Sequence, residues 1–172
     1  MNRSAETLPR LRIEPLGPEH VTAGFDAGMP LVNAYLADAL ALQAVHLGRA
    51  FVAVESGDAR VRGFYTLHGH RIDGWRTGAA AKLRPDAAAG AIRIAGFGVD
   101  RRYRGRGIGT LLFADALRRA KRVSSEVGVQ AVVLDATDGR AEAFYRGYGF
   151  SPVGPPEVAP PGRLWLRIAD VP

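Results

Sequence analysis

Short segments in which apolar and polar residues alternate, or in which apolar residues run together, recur along the whole chain and predict β-strands. The first segment, 11–16, alternates, as expected for a half-buried strand. Gly57 and Asp58 stand between the second and third segments and are a signal for a hairpin. Gly96 and Gly98 interrupt the fourth, which indicates a bulge or the close approach of another backbone or a ligand. The predicted strands are 11–16, 50–55, 62–70, 91–99, 129–136, 149–153 and 163–168.

Three segments between these strands show helical spacing. Residues 107–127 carry apolar side chains at intervals of four and three, namely Leu112, Ala116, Ala120, Val123 and Val127, widened by Leu111, Phe113 and Leu117. Residues 29–47 predict a second helix from Leu31, Val32, Tyr35, Leu36, Leu40 and Val45. A short helix is predicted over 138–145, and 71–90, rich in Gly and Ala, predicts a loop with at most one helical turn. Strands interspersed with helices predict a mixed fold of the α/β (α+β) class.

A glycine-rich loop precedes the longest predicted helix. Its sequence, Arg-Gly-Arg-Gly-Ile-Gly, spans 104–109 and follows an apolar run that ends at Val99. Backbone N–H groups at a helix N-terminus bind phosphate, and glycines let a phosphate approach them closely. Thr110 stands where a Rossmann loop has its third glycine, and no Gly-Lys-Ser/Thr of a Walker loop follows. The loop predicts a pyrophosphate cradle, although glycines also serve ordinary tight turns.

Composition narrows the class of protein. A chain of 172 residues predicts one domain, and the absence of cysteine excludes disulfides, thiolate catalysis and Cys-type zinc sites. No apolar leader or membrane-spanning run is present, so we expect a cytoplasmic protein without a membrane partner. The net charge is +6, and eight of the 23 basic residues lie between Arg101 and Arg122. This cluster is compatible with a polyanionic partner and equally with a solvated helix face.

Two motifs in the C-terminal half resemble the GNAT superfamily of N-acetyltransferases. The acetyl-CoA signature Gln/Arg-x-x-Gly-x-Gly/Ala is matched by Arg104, Gly107 and Gly109. The later signature Asn-x-x-Ala-x-x-x-Tyr-x-x-x-Gly-Phe is matched by Ala141, Tyr145, Gly149 and Phe150, with Asp138 in place of Asn. The resemblance implies a mixed, mostly antiparallel central sheet with helices on both faces, and acetyl-CoA as the cofactor.

The N-terminal half resembles one branch of this superfamily, the toxins of type II toxin–antitoxin systems that acetylate the α-amino group of aminoacyl-tRNA. The likeness lies in Phe25-Asp26-Ala27-Gly28, followed by Leu31, Asn33, Tyr35 and Leu36, and it extends to about Val153. Three features depart from that pattern: Ala27 replaces Cys, the Leu-Asn pair is altered at Leu31–Asn33, and Gly96 replaces a frequent Arg.

The resemblance assigns roles to particular residues. Main-chain groups around Phe97, Gly98 and Val99 are expected to pair with pantetheine, and Tyr145 to donate a proton to the departing thiolate. The pyrophosphate is expected on the amides of Arg104, Gly105, Arg106, Gly107, Ile108, Gly109 and Thr110, with charge-assisted bonds from Arg104 and Arg106.

Residues on the acceptor side are less sharply defined. The candidates are Asn33, Arg93, Asp135 and Asp138. Asn33 either serves its helix or shapes the acceptor cleft, and Asp138 has the alternative role of a helix N-cap. His68 and His70 share one face of a predicted strand, but the sequence shows no third ligand, so we predict no metal site.

The function predicted from these features is acetyl-CoA-dependent acetylation of aminoacyl-tRNA. Two alternatives remain open: acetylation of a small amine, a peptide N-terminus or a protein lysine, and a non-catalytic module that only binds CoA. The resemblance also implies a homodimer and a ribbon-helix-helix antitoxin as partner.

Overall fold

A single seven-stranded sheet organises the residues that the computed structural model describes, which are 10–72, 88–153 and 161–172. The strands are β1 (Leu11–Pro15), β2 (Arg49–Glu55), β3 (Gly63–Ile72), β4 (Ala89–Val99), β5 (Ala131–Asp135), β6 (Ser151–Pro152) and β7 (Arg163–Arg167). Their order in the sheet is β1-β2-β3-β4-β5-β7-β6. Only β4 and β5 pair in parallel, and the other neighbours are antiparallel. The predicted mixed, mostly antiparallel sheet is thereby confirmed.

Helices lie on both faces of this sheet, as the resemblance implied. They are α1 (Pro30–Ala44), α2 (Ile108–Ser124) and α3 (Gly139–Arg146), with 3-10 turns at Arg101–Tyr103 and Ile168–Asp170. No helix of the described ranges is long and apolar enough to span a membrane.

The predicted element boundaries hold to within a few residues, with three differences. The first helix ends at Ala44 and not at Leu47, because the backbone turns into the left-handed region at His46, where φ is 59°. The predicted loop 71–90 is wrong at its ends, since Arg71 and Ile72 continue β3 and Ala89 begins β4. Residues 73–87 of that predicted loop lie outside the described ranges. The strand predicted over 149–153 is reduced to Ser151–Pro152.

The helix α2 covers one face of the sheet. Its buried side chains pack against Tyr65, Ile92, Ile94, Val132 and Leu134. The buried residues of the helix are Ile108, Leu112, Phe113, Ala116, Leu117 and Ala120. The predicted stripe is confirmed at its centre but is too wide, because Leu111 is 51% exposed and Val127 lies beyond the helix.

The opposite face is covered by α1 over the N-terminal half of the sheet. Val32, Leu36 and Ala39 are its buried residues, and they pack with the side chains of Ala50, Val52, Val54 and Phe64. Leu31 is 68% exposed and Leu40 is exposed as well, although both belong to the apolar residues that predicted the helix. Apolar residues occur all around this helix, so their spacing did not distinguish its buried side.

The strands β4 and β5 separate part of the way along their length. They pair from Ala91 to Ile94 and from Ala131 to Leu134. A bulge follows on β4, because Leu67 pairs with Ile94 whereas Tyr65 pairs with Phe97. A bulge bends its strand and increases the local twist. The opening between 95–99 and Asp135, called the β4–β5 gap below, begins at this bulge.

Glycines allow α1 to lie close to the bulged part of β4. The amide of Gly96 donates to the hydroxyl of Thr66 at 2.8 Å instead of to a backbone carbonyl. A Cβ at Gly96 would lie 3.2 Å from Tyr35, and one at Gly98 would lie 2.6 Å from Val32. A side chain at position 96 would therefore require Phe64 and Tyr35 to shift by a few tenths of an ångström. The glycines therefore mark a bulge and a close helix approach, as the sequence indicated.

Candidate active site

The β4–β5 gap presents an unpaired main-chain edge. Within the described ranges, residues 95–99 pair with β3 on one side and with no strand on the other. The side chain of Phe97 packs with the α2 core, whereas Gly98 faces α1. The main chain between them is left to face the gap. An extended ligand with amide groups can pair with such an edge as another strand would.

The glycine-rich loop closes one end of the gap. Gly105 and Gly107 both have φ of +75°, a conformation that glycine adopts without strain. Gly107 is the N-cap of α2, and no side chain caps this helix. The first N–H groups of α2 therefore lack intrahelical partners and carry the positive end of the helix dipole. A Cβ at Gly109 would point to Val99 and Phe97, so the bare backbone faces the gap.

The two arginines expected to bind pyrophosphate make contacts within the protein. The guanidinium of Arg104 donates to the carbonyl of Ala27. The guanidinium of Arg106 lies 5.4 Å from the centre of the Tyr103 ring, which Arg62 also approaches at 4.1 Å. Both side chains thus contact other parts of the protein, whereas the first amides of α2 have no intrahelical partner.

The segment Phe25–Gly28, which carries the likeness to the toxins, braces this loop. Asp26 accepts hydrogen bonds from the Gly28 amide at 2.7 Å and from the Asn33 side chain at 3.1 Å, and it forms an ion pair with Arg101. The hydrogen bonds from Asn33 and from Gly28 lower the pKa of Asp26. Asn33 also accepts from the Ala27 amide at 2.8 Å. Both groups of the Asn33 amide thus hold the turn that precedes α1.

Asp100 also holds the segment Phe25–Gly28 in place, and the sequence had assigned it no role. It is fully buried, and it accepts hydrogen bonds from the Arg102 side chain at 2.6 and 2.9 Å and from the Asp26 amide at 3.2 Å. The Arg102 hydrogen bond lowers the pKa of Asp100 far below its ordinary value. The only signal in the sequence was its position directly after an apolar strand and before a basic loop.

Tyr145 lies on the other side of the gap, on α3. Its ring is 6.4 Å from that of Phe97 between centres, which places it against the bulged part of β4. The residue is only 7% exposed and also contacts the rings of Phe113, Phe144 and Phe150. Burial, with a further contribution from the Asp138 carboxylate, raises the pKa of Tyr145 to about 12. Among the described residues no group hydrogen-bonds its hydroxyl, so the phenol is a protonated and free donor.

The remaining acceptor candidates occupy defined positions near the end of β5. Asp138 accepts from the Ala141 amide at 2.8 Å and is the N-cap of α3, the alternative that the sequence left open. Asp135 accepts hydrogen bonds from Arg93 and Arg163. His68 pairs across the sheet with Arg93, and burial and then the Arg93 charge lower the pKa of His68.

Comparison with known proteins identifies the class. The family model described as "Acetyltransferase (GNAT) domain" matches residues 36–160. The chain therefore belongs to the GNAT acetyltransferase family, whose acyl donor is acetyl-CoA.

Individual relatives narrow the comparison. "Probable toxin TacT" of Sinorhizobium fredii is 32% identical over 170 residues, which cover 92% of each chain. The "tRNA-acetylating toxin" of Mycobacterium tuberculosis is 33% identical over 146 residues, which cover 84% of this chain and 82% of the relative.

Solved structures of similar proteins share the fold. A tyrosine-to-phenylalanine mutant of KacT has a TM-score of 0.83 at 23% identity and covers 94% of this chain and 96% of its own. AtaT complexed with acetyl-methionyl-tRNAfMet has a TM-score of 0.81 at 21% identity and covers 94% of this chain and 97% of its own. The chain thus shares the overall fold of these proteins.

The residues present fit the donor of this family. The unpaired edge at 95–99 suits the amides of pantetheine, and the uncapped head of α2, with bare Cα positions at Gly105, Gly107 and Gly109, suits a pyrophosphate. A side chain at Gly105 or Gly107 would strain the loop, because φ is +75° at both positions.

Proposed function

We propose that this chain, acting as one domain, transfers the acetyl group of acetyl-CoA to the α-amino group of aminoacyl-tRNA. One structural observation carries the enzymatic part: the β4–β5 gap has uncapped amides at one end and the free phenol of Tyr145 at its side. The acceptor is supported by the relative named as a tRNA-acetylating toxin, by the toxin-like segment 25–28 and by the net charge of +6. A polyanionic substrate benefits from such a charge.

The donor would be held mainly by backbone. Amides of 104–110 would bind the pyrophosphate, and main-chain groups of Phe97, Gly98 and Val99 would pair with pantetheine. Bound acetyl-CoA supplies an activated acyl carbon and a thiol leaving group. Since these contacts come from a strand edge and a helix terminus, the acyl end is directed to a fixed point beside Tyr145.

Tyr145 would act as the proton donor. With a pKa of about 12 the phenol stays protonated at neutral pH, so it can donate a hydrogen bond to the sulfur as negative charge develops there. In the net reaction the amine loses one proton and the thiol gains one. The phenol would give its proton to the sulfur and regain one from solvent, which also takes up the proton that the amine loses.

The protein needs no strong base for the amine. An α-amino group has a pKa near 8, so about a tenth of it is free base at neutral pH. Asp135 is unsuited to the task, because hydrogen bonds from Arg163 and Arg93 outweigh the effect of burial and lower the pKa of Asp135. We therefore expect the reactive species to be the amine that is already deprotonated.

The acceptor is tested by incubating the purified protein with acetyl-CoA and bulk aminoacyl-tRNA. We expect N-acetylated amino acids after deacylation of the tRNA, and a transfer rate that falls steeply as salt rises. Uncharged tRNA and free amino acids are the controls. Transfer to a small amine, a peptide N-terminus or a lysine, at a rate insensitive to salt, contradicts the tRNA acceptor. Binding of acetyl-CoA without any transfer indicates a non-catalytic module.

The proposed function includes three further properties. We place the enzyme in the cytoplasm, where charged tRNA is found, as a homodimer that an antitoxin neutralises. A structure of AtaT bound to the C-terminus of the antitoxin AtaR has a TM-score of 0.78 to this chain at 22% identity, which supports a partner of this kind. Light scattering of the purified protein, alone and with the product of the neighbouring reading frame, tests the dimer and the partner.

A further inference from the structure

Side chains bridge the two strands where the β4–β5 gap opens. The last paired residues are Ile94 on β4 and Leu134 on β5. Arg93 directly precedes Ile94, and its guanidinium donates to Oδ2 of Asp135 at 2.6 Å. Because Asp135 follows the last paired residue of β5, this hydrogen bond spans the apex of the gap.

A second arginine holds the same carboxylate from the other side. Arg163 on β7 is the register partner of Asp135. It donates through Nε to Oδ1 at 2.7 Å and through Nη2 to Oδ2 at 3.1 Å. Asp135 thus receives three charge-assisted hydrogen bonds from two strands, and such bonds are shorter and stronger than neutral ones. We call Arg93, Asp135 and Arg163 the apex cluster.

Only a few residues of the chain separate the apex cluster from α3, the helix that carries Tyr145, and hydrogen bonds hold these residues in place. After Asp135, the Ala136 amide donates to the Gly162 carbonyl at 2.8 Å. Asp138 then caps α3, the helix that carries Tyr145. The end of β5 therefore sets where α3 begins and how far Tyr145 lies from β4.

We infer that Asp135, held by Arg93 and Arg163, is a positioning residue that fixes the phenol of Tyr145 relative to the free edge of β4. The inference rests on the proposed transfer chemistry and adds a role that the chemistry itself does not require. Asp135 acts through α3 and not on the reacting atoms. The donor-binding groups at 104–110 belong to α2 and its loop, so they do not depend on the apex cluster.

The first test is Asp135→Asn, which keeps the size of the side chain and removes its charge. We expect kcat to fall by about tenfold or more, because small misplacements of a catalytic group are costly. The Kd of acetyl-CoA, measured by calorimetry, should change by less than about twofold, within the ordinary effect of a remote surface change. The matched control is Asp170→Asn. Asp170 accepts hydrogen bonds at 2.6 and 3.0 Å from Arg167, which lies on β7 like Arg163 but outside the apex cluster. It should leave both quantities unchanged.

A double-mutant cycle separates positioning from general loss of structure. If Asp135 acts through the phenol, Asp135→Asn has little further effect in a Tyr145→Phe background. If the two losses multiply, the inference is overturned, whatever the acceptor. The cycle can be run with any amine that the wild-type enzyme acetylates, so failure of the tRNA acceptor is distinguishable from failure of the positioning role.

A readout without turnover completes the test. The chain contains five tyrosines, so fluorotyrosine labelling gives a simple ¹⁹F spectrum in which Tyr145→Phe identifies one resonance. Asp135→Asn should shift that resonance, and Asp170→Asn should not. An unmoved Tyr145 signal contradicts the inference even in a protein without measurable transfer. Should Asp135→Asn fail to fold, Arg163→Lys serves instead, because lysine keeps the charge and loses the two-pronged contact.

Discussion

The two sides of the β4–β5 gap present different kinds of groups, backbone on one side and a side chain on the other. On the β4 side the ligand-facing groups are backbone: the free edge at 95–99 and the amides at the head of α2. On the β5 side the group is a side chain, that of Tyr145 on α3, and the apex cluster holds the end of β5 from which α3 follows. Under the proposed function, backbone groups bind what all CoA thioesters share, whereas one side chain is the proton donor. The difference predicts that binding of the donor and turnover can be damaged separately.

The largest effect on turnover without an effect on donor binding is expected from Tyr145→Phe. Removal of a general acid typically costs 10²- to 10⁴-fold, so we expect a loss of about that size in kcat. The Kd of acetyl-CoA should remain within about twofold, because the phenol is not among the groups that hold the donor. Tyr148→Phe is the matched control, since Tyr148 packs on Phe113 in the same aromatic cluster. Equal losses in both variants would show that the cluster matters only for folding.

The converse effect is expected from Gly107→Ala. The backbone at 107 has φ of +75°, and an L-residue there costs about 1–2 kcal/mol. Relaxation of the loop would displace the amides of α2, so we expect the Kd of acetyl-CoA to rise about tenfold, the equivalent of 1.4 kcal/mol. Calorimetry measures the change, and single-turnover kinetics at saturating donor should show a nearly normal rate. Gly128→Ala, at an open position outside the loop, is the control. Unchanged affinity in Gly107→Ala contradicts a backbone-made cradle.

A smaller and more gradual effect concerns pH. If the amine reacts as free base and no carboxylate accepts its proton, kcat/KM for a stable α-amino acceptor should rise tenfold per pH unit and level off near pH 8. The rate should not decline at pH 10, because the pKa of Tyr145 is about 12 and the phenol is still protonated. A decline between pH 8 and 10 would indicate a different proton donor. Tyr145→Phe should lower the whole profile without moving its midpoint.

The smallest expected effect is on stability at acid pH and concerns Asp100, which accepts hydrogen bonds from the Asp26 amide and from Arg102. The pKa of Asp100 is lower in the folded chain than the value of about 3.9 expected in the unfolded chain. Its contribution to stability is therefore complete above that value and declines as the pH falls toward the folded pKa. We expect Asp100→Asn to lower Tm at pH 7 and to lower it less at pH 3. A difference in Tm that is constant over this range would contradict the role of the Asp100 charge.

The same contrast explains how far the sequence could predict the molecule. The glycine loop before α2 is a local motif and was predicted from its own residues, whereas the role of Tyr145 on α3 was implied by the resemblance to the GNAT superfamily and not by spacing. The β4–β5 gap, in contrast, begins at the bulge opposite Thr66. The two glycines at 96 and 98 indicated a bulge but not the separation of the two strands. Contacts such as that of Asp100 with Asp26, or of Asp135 with Arg93, join residues that are 74 and 42 positions apart. No periodicity in the sequence indicates such pairs.

Errors in the predicted core have a related cause. The stripe on α2 was predicted well because charged residues mark its outer side. On α1, which has one charged residue, Leu31 and Leu40 belong to the apolar residues that predicted the helix but are exposed. Where polar residues do not mark the solvent side, only the packing partners decide which apolar residues are buried.

A crystal structure with CoA bound is the most direct test of the central claim, that the backbone of β4 and α2 delivers the thioester to Tyr145. The account predicts the pyrophosphate on the amides of 104–110, pantetheine along 95–99, and the sulfur within hydrogen-bonding distance of the Tyr145 hydroxyl. A sulfur that lies outside the β4–β5 gap, or one whose nearest donor is another side chain, would contradict it.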